Sequence, residues 1–405
     1  RHPGVEIDIL RRYLVLYGWI EGLDAVITAD QSGLSGTKRA EFLGQLTSLV
    51  THELQQKGYR VIDMKPAHII LRRTKNGRLL RERNGQLAYA LVDYELLERT
   101  PEHEQAVRST NRQIYLQHTA RRFDADAAQN MPAHLHAVNV LGVDYVFGHA
   151  ESTGGSLWVV GRDPDLFNYF LPERWRRTPN RRLSSHNPVF KTCTKDNINL
   201  VWKVSRMGDR PWLSKPGVDN AVVRGHGFNS PFEEFSIALE LARAGIKTVY
   251  PRAIYRTGSQ ATPFRAPPEE QRYAELAHLL TPDGQQVIRK DCDYITIWGN
   301  WNGPDELLAN RDGAYFTTKN ARHACARKII STEILRELIQ REAIKLAVCG
   351  LEDLNPKPDH LLLCFDSNDR LVLDESGLPE VRLCNFELIR DVQRLKPSRA
   401  SQTHQ

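Results

Sequence analysis

A repeat at a fixed offset of 292 residues constrains the fold of this chain more than any other sequence feature. Residues 63–68 read Asp-Met-Lys-Pro-Ala-His, and residues 93–95 read Asp-Tyr-Glu. Residues 355–360 read Asn-Pro-Lys-Pro-Asp-His, and residues 385–387 read Asn-Phe-Glu, so both stretches recur with the same spacing. A chance match of Lys-Pro-x-His would not carry a second stretch along at the same distance. The chain is therefore predicted to contain two copies of one folding unit.

Other predicted elements follow the same repeat. Tyr13–Asp24 reads as a short apolar strand that ends in a glycine turn, and Tyr294–Asp305 matches it without a gap at an offset of 281. In the first copy, the apolar spacing over Ala40–Lys57 predicts a helix. The matching helix of the second copy is predicted from five apolar residues: Ile329, Ile330, Ile334, Leu335 and Leu338.

Between the two repeated stretches of each copy, turn dipeptides predict a polar hairpin. Arg72–Gln86 carries two Asn-Gly pairs, which suit type I′ turns. Cys364–Glu380 carries an Asn-Asp and a Ser-Gly pair at the corresponding places.

The composition is that of an ordinary globular protein. The 405 residues allow two or three domains, with 41% hydrophobic and 26% charged residues. No apolar run approaches the roughly 20 residues that a membrane-spanning helix needs, and the N-terminus has no signal-peptide pattern. The six cysteines lack Cys-x-x-Cys spacing, so we expect reduced core thiols in a cytoplasmic protein. The net charge of +6 suits a phosphate-bearing ligand and does not require nucleic acid.

The repeated stretches of the first copy resemble the two phosphate-handling loops of the protein-kinase fold, an Asp-x-Lys-Pro-x-Asn catalytic loop and an Asp-Phe-Gly metal loop. The resemblance implies that Asp63 is the catalytic base, that Lys65 contacts the transferred phosphate and that Asp93 is a metal ligand. His68 stands in the place of the Asn that holds a second metal ion. The implied cofactors are ATP and Mg²⁺, or Mn²⁺. Because Mg²⁺ prefers oxygen ligands, the histidine argues against tight magnesium binding.

The second copy resembles a kinase unit that includes its small lobe. The apolar strand Ile198–Val204 presents Lys203 as the lysine that binds the nucleotide phosphates. A helix that opens at Ser230 follows this strand and offers Glu234 as the partner of the lysine. Glu233 is the alternative partner, although its position three residues after the N-cap also suits a capping box.

The rest of the second copy departs from an active kinase. A strand pair over Ile246–Tyr255 and the strand that begins at Tyr294, which the resemblance makes the hinge strand, complete the small lobe. The resemblance also makes Lys357 a further nucleotide-binding residue. Asn355 and Asn385 stand where the first copy has acids. An amide neither takes up a substrate proton nor supplies negative charge to a metal ion, so the second copy is expected to be a pseudokinase.

The fold class that follows is α+β, with two tandem protein-kinase-like units. The first unit begins at its hinge and lacks its small lobe in this chain. Five segments are expected, namely the hinge and large lobe of the first unit, a linker, the small lobe and the large lobe of the second unit, and a disordered tail. They cover residues 1–110, 111–133, 134–290, 291–395 and 396–405.

The leading function implied by the resemblance is a nucleotide-binding phosphotransferase with a degenerate second unit. Two alternatives stay open, a non-catalytic scaffold or binding module and a small-molecule kinase that shares the fold. The expected partners are a nucleotide and a phosphate acceptor, either a protein or a small molecule, whose identity the sequence does not give. Neither a membrane nor a nucleic acid is indicated.

Overall fold

A computed structural model describes most of the chain and shows a mixed structure of helices and sheets. The described residues are 19–83, 85–94, 97–184, 187–211, 220–258, 272–289, 291–299, 317–366 and 368–392. They divide between two compact units, residues 1–110 and 111–405. Among the helices of these ranges, none combines the length and the apolar character needed to cross a bilayer.

Some predicted features lie outside the described residues. The predicted strand Tyr13–Asp24 is described from Trp19 onward, and the matching stretch of the second copy is described as far as Gly299. Glu95 of the first metal loop and the tail over residues 396–405 also lie outside.

The first unit combines helices with short strands. In chain order, the elements are β1 (Leu23–Asp24), α1 (Ala25–Gln31), α2 (Gly36–Gln56), β2 (Tyr59–Val61), β3 (Ile69–Leu71), β4 (Tyr89–Leu91), β5 (Leu97–Arg99) and α3 (Pro101–Arg121), whose residues after position 110 belong to the second unit. Strand β3 lies between β1 and β4 in an antiparallel sheet, and β2 pairs with β5. A single 3-10 turn, Pro66–His68, leads into β3.

The apolar spacing of α2 explains how this unit packs. Its buried residues Leu43, Leu46 and Val50 recur at intervals of three and four, so they lie on one face of the helix. This face forms a core with the alanines of α1 and with the buried residues of β3. The predicted helix is therefore present, but it begins at Gly36 rather than at Ala40.

The second unit opens with a large sheet and its covering helices. In chain order, the elements are β6 (His136–Val140), β7 (Val143–Ala150), β8 (Gly155–Val160), α4 (Pro172–Trp175), β9 (Asn180–Arg182), β10 (Val189–Cys193), β11 (Asn199–Val204), α5 (Asn220–His226), α6 (Pro231–Arg243), β12 (Tyr250–Arg256) and β13 (Tyr294–Gly299). The eight strands pair in the order β6-β7-β8-β12-β13-β11-β10-β9, and each pairing is antiparallel. Strand β11 therefore lies beside β13, and α5 and α6 lie between β11 and β12 along the chain.

The second unit continues with a smaller group of elements. These are β14 (Thr317–Asn320), α7 (Ala321–Ala326), α8 (Thr332–Val348), β15 (Leu351–Asp353), β16 (Leu361–Phe365), β17 (Val381–Leu383) and β18 (Ile389–Asp391). Strand β16 lies between β14 and β17, and β15 pairs with β18. A single hydrophobic core joins this group to the large sheet through α6 and α8.

The smaller group repeats the order and the strand register of the first unit. Asp24 faces Ile70 across β1 and β3, and Asn320 faces Leu362 across β14 and β16. Asp24 and Asn320 are also equivalent as N-cap residues, since the side chain of each caps the helix that follows it. The partners in the other pairings, β3 with β4 and β2 with β5, recur at the offset of 292 found in the sequence.

Both predicted polar hairpins are present, and each is folded twice. Four isolated β-bridges close them, two in each copy and at the same offset: Arg73–Leu79, Arg81–Leu87, Phe365–Leu371 and Leu373–Pro379. Gly77 and Gly85 turn the first hairpin with positive φ angles, and Asp369 and Gly377 do so in the second. Turn chemistry therefore fixes the same local path in both copies.

Several predicted boundaries are wrong. The helix of the second copy was predicted to include Ile329 and Ile330, but both residues precede α8, because Ser331 caps it by accepting a hydrogen bond from Ile334 N. The segment Ile246–Tyr255 holds one strand, β12, instead of a pair. Within the expected linker over residues 111–133, which stays a prediction, residues 111–121 form the last part of α3.

The cysteines are free thiols in the described structure. Cys292 and Cys364 are buried, in agreement with the expected core thiols. Cys193 is exposed, so that expectation is wrong for this residue.

Truncating the core side of α8 should destabilise the second unit far more than truncating its outer side. Leu338 is fully buried, whereas Ile344 on the same helix is 57% exposed. We expect Leu338→Ala to lower the free energy of unfolding by about 2–5 kcal/mol, because it removes buried methyl groups and leaves a cavity. Ile344→Ala should change it by less than about 0.5 kcal/mol. Urea unfolding followed by circular dichroism measures both, and equal losses would contradict the described packing of α8.

Candidate functional site

A buried cluster of one lysine and two glutamates joins the sheet, a helix and a loop of the second unit. Lys203 on β11 donates from Nζ to Oε2 of Glu234 on α6 at 2.6 Å and to Oε1 of Glu387 at 3.4 Å. All three side chains are buried, Glu234 completely. Of the two glutamates that the sequence offers on this helix, Glu234 is the partner of the lysine.

The start of α6 explains why the neighbouring glutamates have different roles. Ser230 accepts a hydrogen bond from the backbone N–H of Glu233, and the Glu233 carboxylate accepts one from the backbone N–H of Ser230. This reciprocal pair is the predicted capping box. Glu234 lies on the apolar face of the helix, four residues before the buried Ala238, and therefore points into the core.

Burial and charge together set the protonation of the cluster. Burial raises the pKa of Glu234 to about 7, although Lys203 opposes the shift. Burial alone would lower the pKa of Lys203, but the charges of Glu234 and Glu387 outweigh it and raise that pKa. Burial also acts to raise the pKa of Glu387, but Lys203 and Arg206 outweigh it and lower that pKa. Of the two carboxylates, Glu234 is therefore the one that takes up a proton first as the pH falls. Its Oε1 has no hydrogen-bond partner among the described residues.

The loop that carries Glu387 is held in place by aromatic packing and by one asparagine. Phe386 is fully buried and stacks on Trp298 of β13 with ring centroids 5.3 Å apart. The Asn229 backbone donates to the carbonyl of Glu387 at 2.8 Å, and its side chain donates to the carbonyls of Phe386 and Ile389 at 2.8 and 2.7 Å. Sequence reasoning missed both Glu387 and Asn229. The signal for Glu387 was a charged residue where the kinase metal loop has glycine.

In the second copy, the histidine of the first repeated stretch contacts the first residue of the second repeated stretch. Asn385 donates from Nδ2 to Nε2 of His360 at 3.0 Å, and Nδ1 of His360 lies 3.7 Å from Asp353. Asn355 is buried, with 7% of its surface exposed. Its backbone N–H donates to the Asp353 side chain at 2.8 Å. Amides occupy both positions where the first copy has acids.

Lys357 lies elsewhere in the second unit. It precedes the 3-10 turn Pro358–His360 and lines a cavity of about 620 Å³ beside α8. Neither Lys203 nor Glu234 is among the described residues that line this cavity. The described lining of this cavity therefore does not bring Lys357 together with the two residues predicted to bind the same nucleotide.

The first copy places its predicted site residues in two pairs, each with one exposed and one half-buried member. Lys65 Nζ lies 2.5 Å from Oδ2 of Asp63, and His68 Nε2 lies 3.3 Å from Oδ2 of Asp93. The hydrogen bond and the charge of Asp63 raise the pKa of Lys65, and Asp93 adds to this effect. Asp93 has a left-handed backbone with φ of 65°, a conformation uncommon outside glycine that is found at functional loops. Nitrogen and carboxylate donors thus meet at the predicted metal position.

A third group, unpredicted from the sequence, lies at the end of α3. His118 Nδ1 lies 2.6 Å from Asp163 Oδ2, and its Nε2 lies 3.9 Å from Asp165 Oδ2. The three residues have the composition of a metal site, with candidate ligand atoms within 4.8 Å of one another. Asp163 also caps the 3-10 helix Pro164–Phe170, since its side chain accepts from the backbone N–H of Asp165 at 3.0 Å. Helix capping and ion pairing therefore account for its position.

Comparison of the chain with models of known protein families, with curated protein sequences and with solved structures found no match. The likeness to kinases therefore depends on the residues and contacts given above.

The contribution of Glu234 to the stability of the protein should fall as the pH rises through its titration. The pKa of this carboxyl is about 7 in the folded protein and 4.5 ordinarily, so between these values the folded state holds a proton on Glu234 that the unfolded chain has lost. This contribution is therefore greatest at the acid end of the window and is lost toward neutral pH, by about 3 kcal/mol at most, since one pKa unit corresponds to about 1.4 kcal/mol. Burial lowers the pKa of His226 to about 4 and acts on stability in the opposite direction, so the contribution of Glu234 is measured by comparison with a variant.

Glu234→Gln should flatten this dependence, because an amide does not titrate. Urea unfolding of both proteins at pH 5, 6, 7 and 8 measures it. Glu240→Gln, an exposed change on the same helix, is the matched control and should keep the slope of the original protein. If the free energy of unfolding of Glu234→Gln depends on pH as strongly as that of the original protein, another group is responsible for the titration.

Proposed function

We propose that this protein is a protein-kinase-like, nucleotide-binding phosphotransferase with a degenerate second unit. The observation that carries the proposal is the buried ion pair of Lys203 and Glu234 at 2.6 Å. In kinases, a strand lysine on the nucleotide phosphates is held by a glutamate from the helix that follows. Here the lysine strand β11 pairs with β13, the predicted hinge strand, and α6 is the second helix after β11 along the chain. The order of strands and the pairing of charges both support this class.

The first unit supplies the acids for phosphate transfer. Asp63 is the proposed base that takes the proton of the acceptor hydroxyl, and Lys65, at 2.5 Å, is placed to neutralise negative charge beside it. Asp93 and His68 would hold a divalent metal ion, which when bound neutralises charge on the phosphates of ATP. Their mixed oxygen and nitrogen donors fit Mn²⁺ better than Mg²⁺.

The second unit is proposed to bind or regulate rather than to transfer phosphate. Asn355 and Asn385 cannot ionise, so this unit has neither a base nor a metal carboxylate at those positions. Glu387 is 3.4 Å from the lysine that would meet the nucleotide phosphates. A nucleotide must therefore compete with this carboxylate for Lys203.

The same contact favours a second candidate, a non-catalytic binding module. In that case Glu387 replaces the nucleotide phosphates permanently, and the cluster serves only to fix α6 against the sheet. Nucleotide binding separates the two candidates.

ATP should bind to the protein in the presence of Mn²⁺ or Mg²⁺, and Lys203→Met should weaken this binding at least about tenfold, since it removes a charge-assisted contact to the phosphates. Lys195→Met removes an exposed lysine from the turn between β10 and β11 and should leave binding unchanged. Isothermal titration calorimetry measures the affinity, and circular dichroism verifies that the variants are folded. Absence of ATP binding to the original protein would leave the binding module as the better account.

Any phosphate transfer by the protein should depend on the acids of the first unit. We expect Asp63→Asn and Asp93→Asn to lower ATP turnover by about two or more powers of ten, the scale of general acid–base catalysis. Asn355→Ala and Asn385→Ala are the matched changes in the second unit and should leave the rate of the folded protein nearly unchanged. Turnover is measured with radiolabelled ATP, and an active Asp63→Asn variant would exclude Asp63 as the base.

A further inference from the structure

A second cavity in the second unit has the chemistry of an anion site. It has a volume of about 360 Å³ and lies between the turn after β11 and the helix α5. Among the described residues, three arginines line it, Arg210, Arg224 and Arg272, against one acid, Asp209. The described lining is therefore positively charged.

The charges around the cavity leave donors available to a ligand. Asp209 is approached by a further cation, since its carboxylate lies 3.8 Å from Arg206 Nε. Arg210 has no hydrogen-bond or ion-pair partner among the described residues. Arg272 donates its two terminal nitrogens to Glu233 and Asn229, but its buried Nε has no partner within the described part of the chain. A buried donor without a partner costs free energy that an anion can recover.

Phosphate fits this lining better than a carboxylate does. Each arginine presents a planar guanidinium group that is always charged and carries several N–H donors. A phosphate monoester offers three acceptor oxygens and a charge near −2. Gly208 and Gly227, both with positive φ, form part of the wall. Tyr273 holds the two sides together, because its hydroxyl accepts from Gly208 N at 3.1 Å and donates to the carbonyl of Phe228 at 2.7 Å.

The cavity is connected by hydrogen bonds to the Lys203 cluster. Arg272 donates to Glu233, which caps α6, at 2.9 Å and to the side chain of Asn229 at 2.8 Å. Asn229 in turn holds the carbonyls of Phe386 and Glu387. An anion that orders Arg272 would therefore also order the start of α6 and the loop that reaches Lys203.

We propose that this cavity binds a phosphate group and that its occupancy stabilises the start of α6 and the loop at Glu387. The ligand is inorganic phosphate or a phosphate monoester, since both present phosphate oxygens to the site. It does not depend on nucleotide binding at Lys203.

Titration calorimetry with inorganic phosphate and with phenyl phosphate, at constant ionic strength, tests the site on the full chain. We expect saturable binding that Arg210→Gln and Arg224→Gln each weaken about tenfold or more, the effect of losing one charge-assisted hydrogen bond. Arg370→Gln removes an exposed arginine from the second polar hairpin and should bind as the original protein does. Tighter binding of phenyl phosphate identifies a monoester as the preferred form, and tighter binding of inorganic phosphate identifies the free ion.

Absence of saturable binding, or equal binding by the original protein and Arg210→Gln, would overturn the site. Hydrogen exchange tests the connection to the cluster. Phosphate should slow exchange over residues 228–234 and 386–389 in the original protein and leave it unchanged in Arg210→Gln. Binding without slower exchange in those segments would contradict the stabilisation of α6 and the loop.

Discussion

The second unit depends on a buried positive charge held between two negative ones. Lys203, Glu234 and Glu387 come from a strand, a helix and a loop, and their burial means that each charge is stable only while the others are in place. Removal of one partner from a buried ion pair commonly costs about 3–5 kcal/mol, because it leaves an uncompensated charge. The cluster therefore links the position of α6 to the position of the loop, and two carboxylates on one lysine make the site sensitive to protons.

The two copies show how one local fold can carry different chemistry. Both place a histidine of the first repeated stretch against the first residue of the second, His68 with Asp93 and His360 with Asn385. In the first copy the Asp63 side chain is 42% exposed, so its charge is solvated. In the second copy Asn355 is buried beside Asp353, where a further carboxylate would be costly to ionise. The amides fit a site that no longer handles charge at these positions.

Groups proposed to handle phosphate are distributed unequally between the units. The first has the acids and an exposed lysine, whereas the second has a buried lysine and an arginine-lined cavity whose contacts lead to that lysine. A division of labour between transfer and regulation follows if both proposals hold. A purely structural role for the second unit would explain the buried cluster, but it would not explain the buried Nε of Arg272, which has no hydrogen-bond partner among the described residues.

The sequence by itself determined the repeat, the doubled hairpins, the capping box at Ser230 and the lysine that pairs with α6, because helix spacing, turn residues and caps act over a few positions. It missed Glu387, which meets Lys203 from 184 residues away. Lys357, which it assigns to the same nucleotide, lines a cavity whose described lining does not include Lys203, so that assignment stays a prediction. It also began the second-copy helix too early, since apolar residues before Ser331 continue the pattern of the helix without belonging to it. Which charges share one buried site was decided only by tertiary packing, because burial brings distant residues together and makes each charge depend on its neighbours.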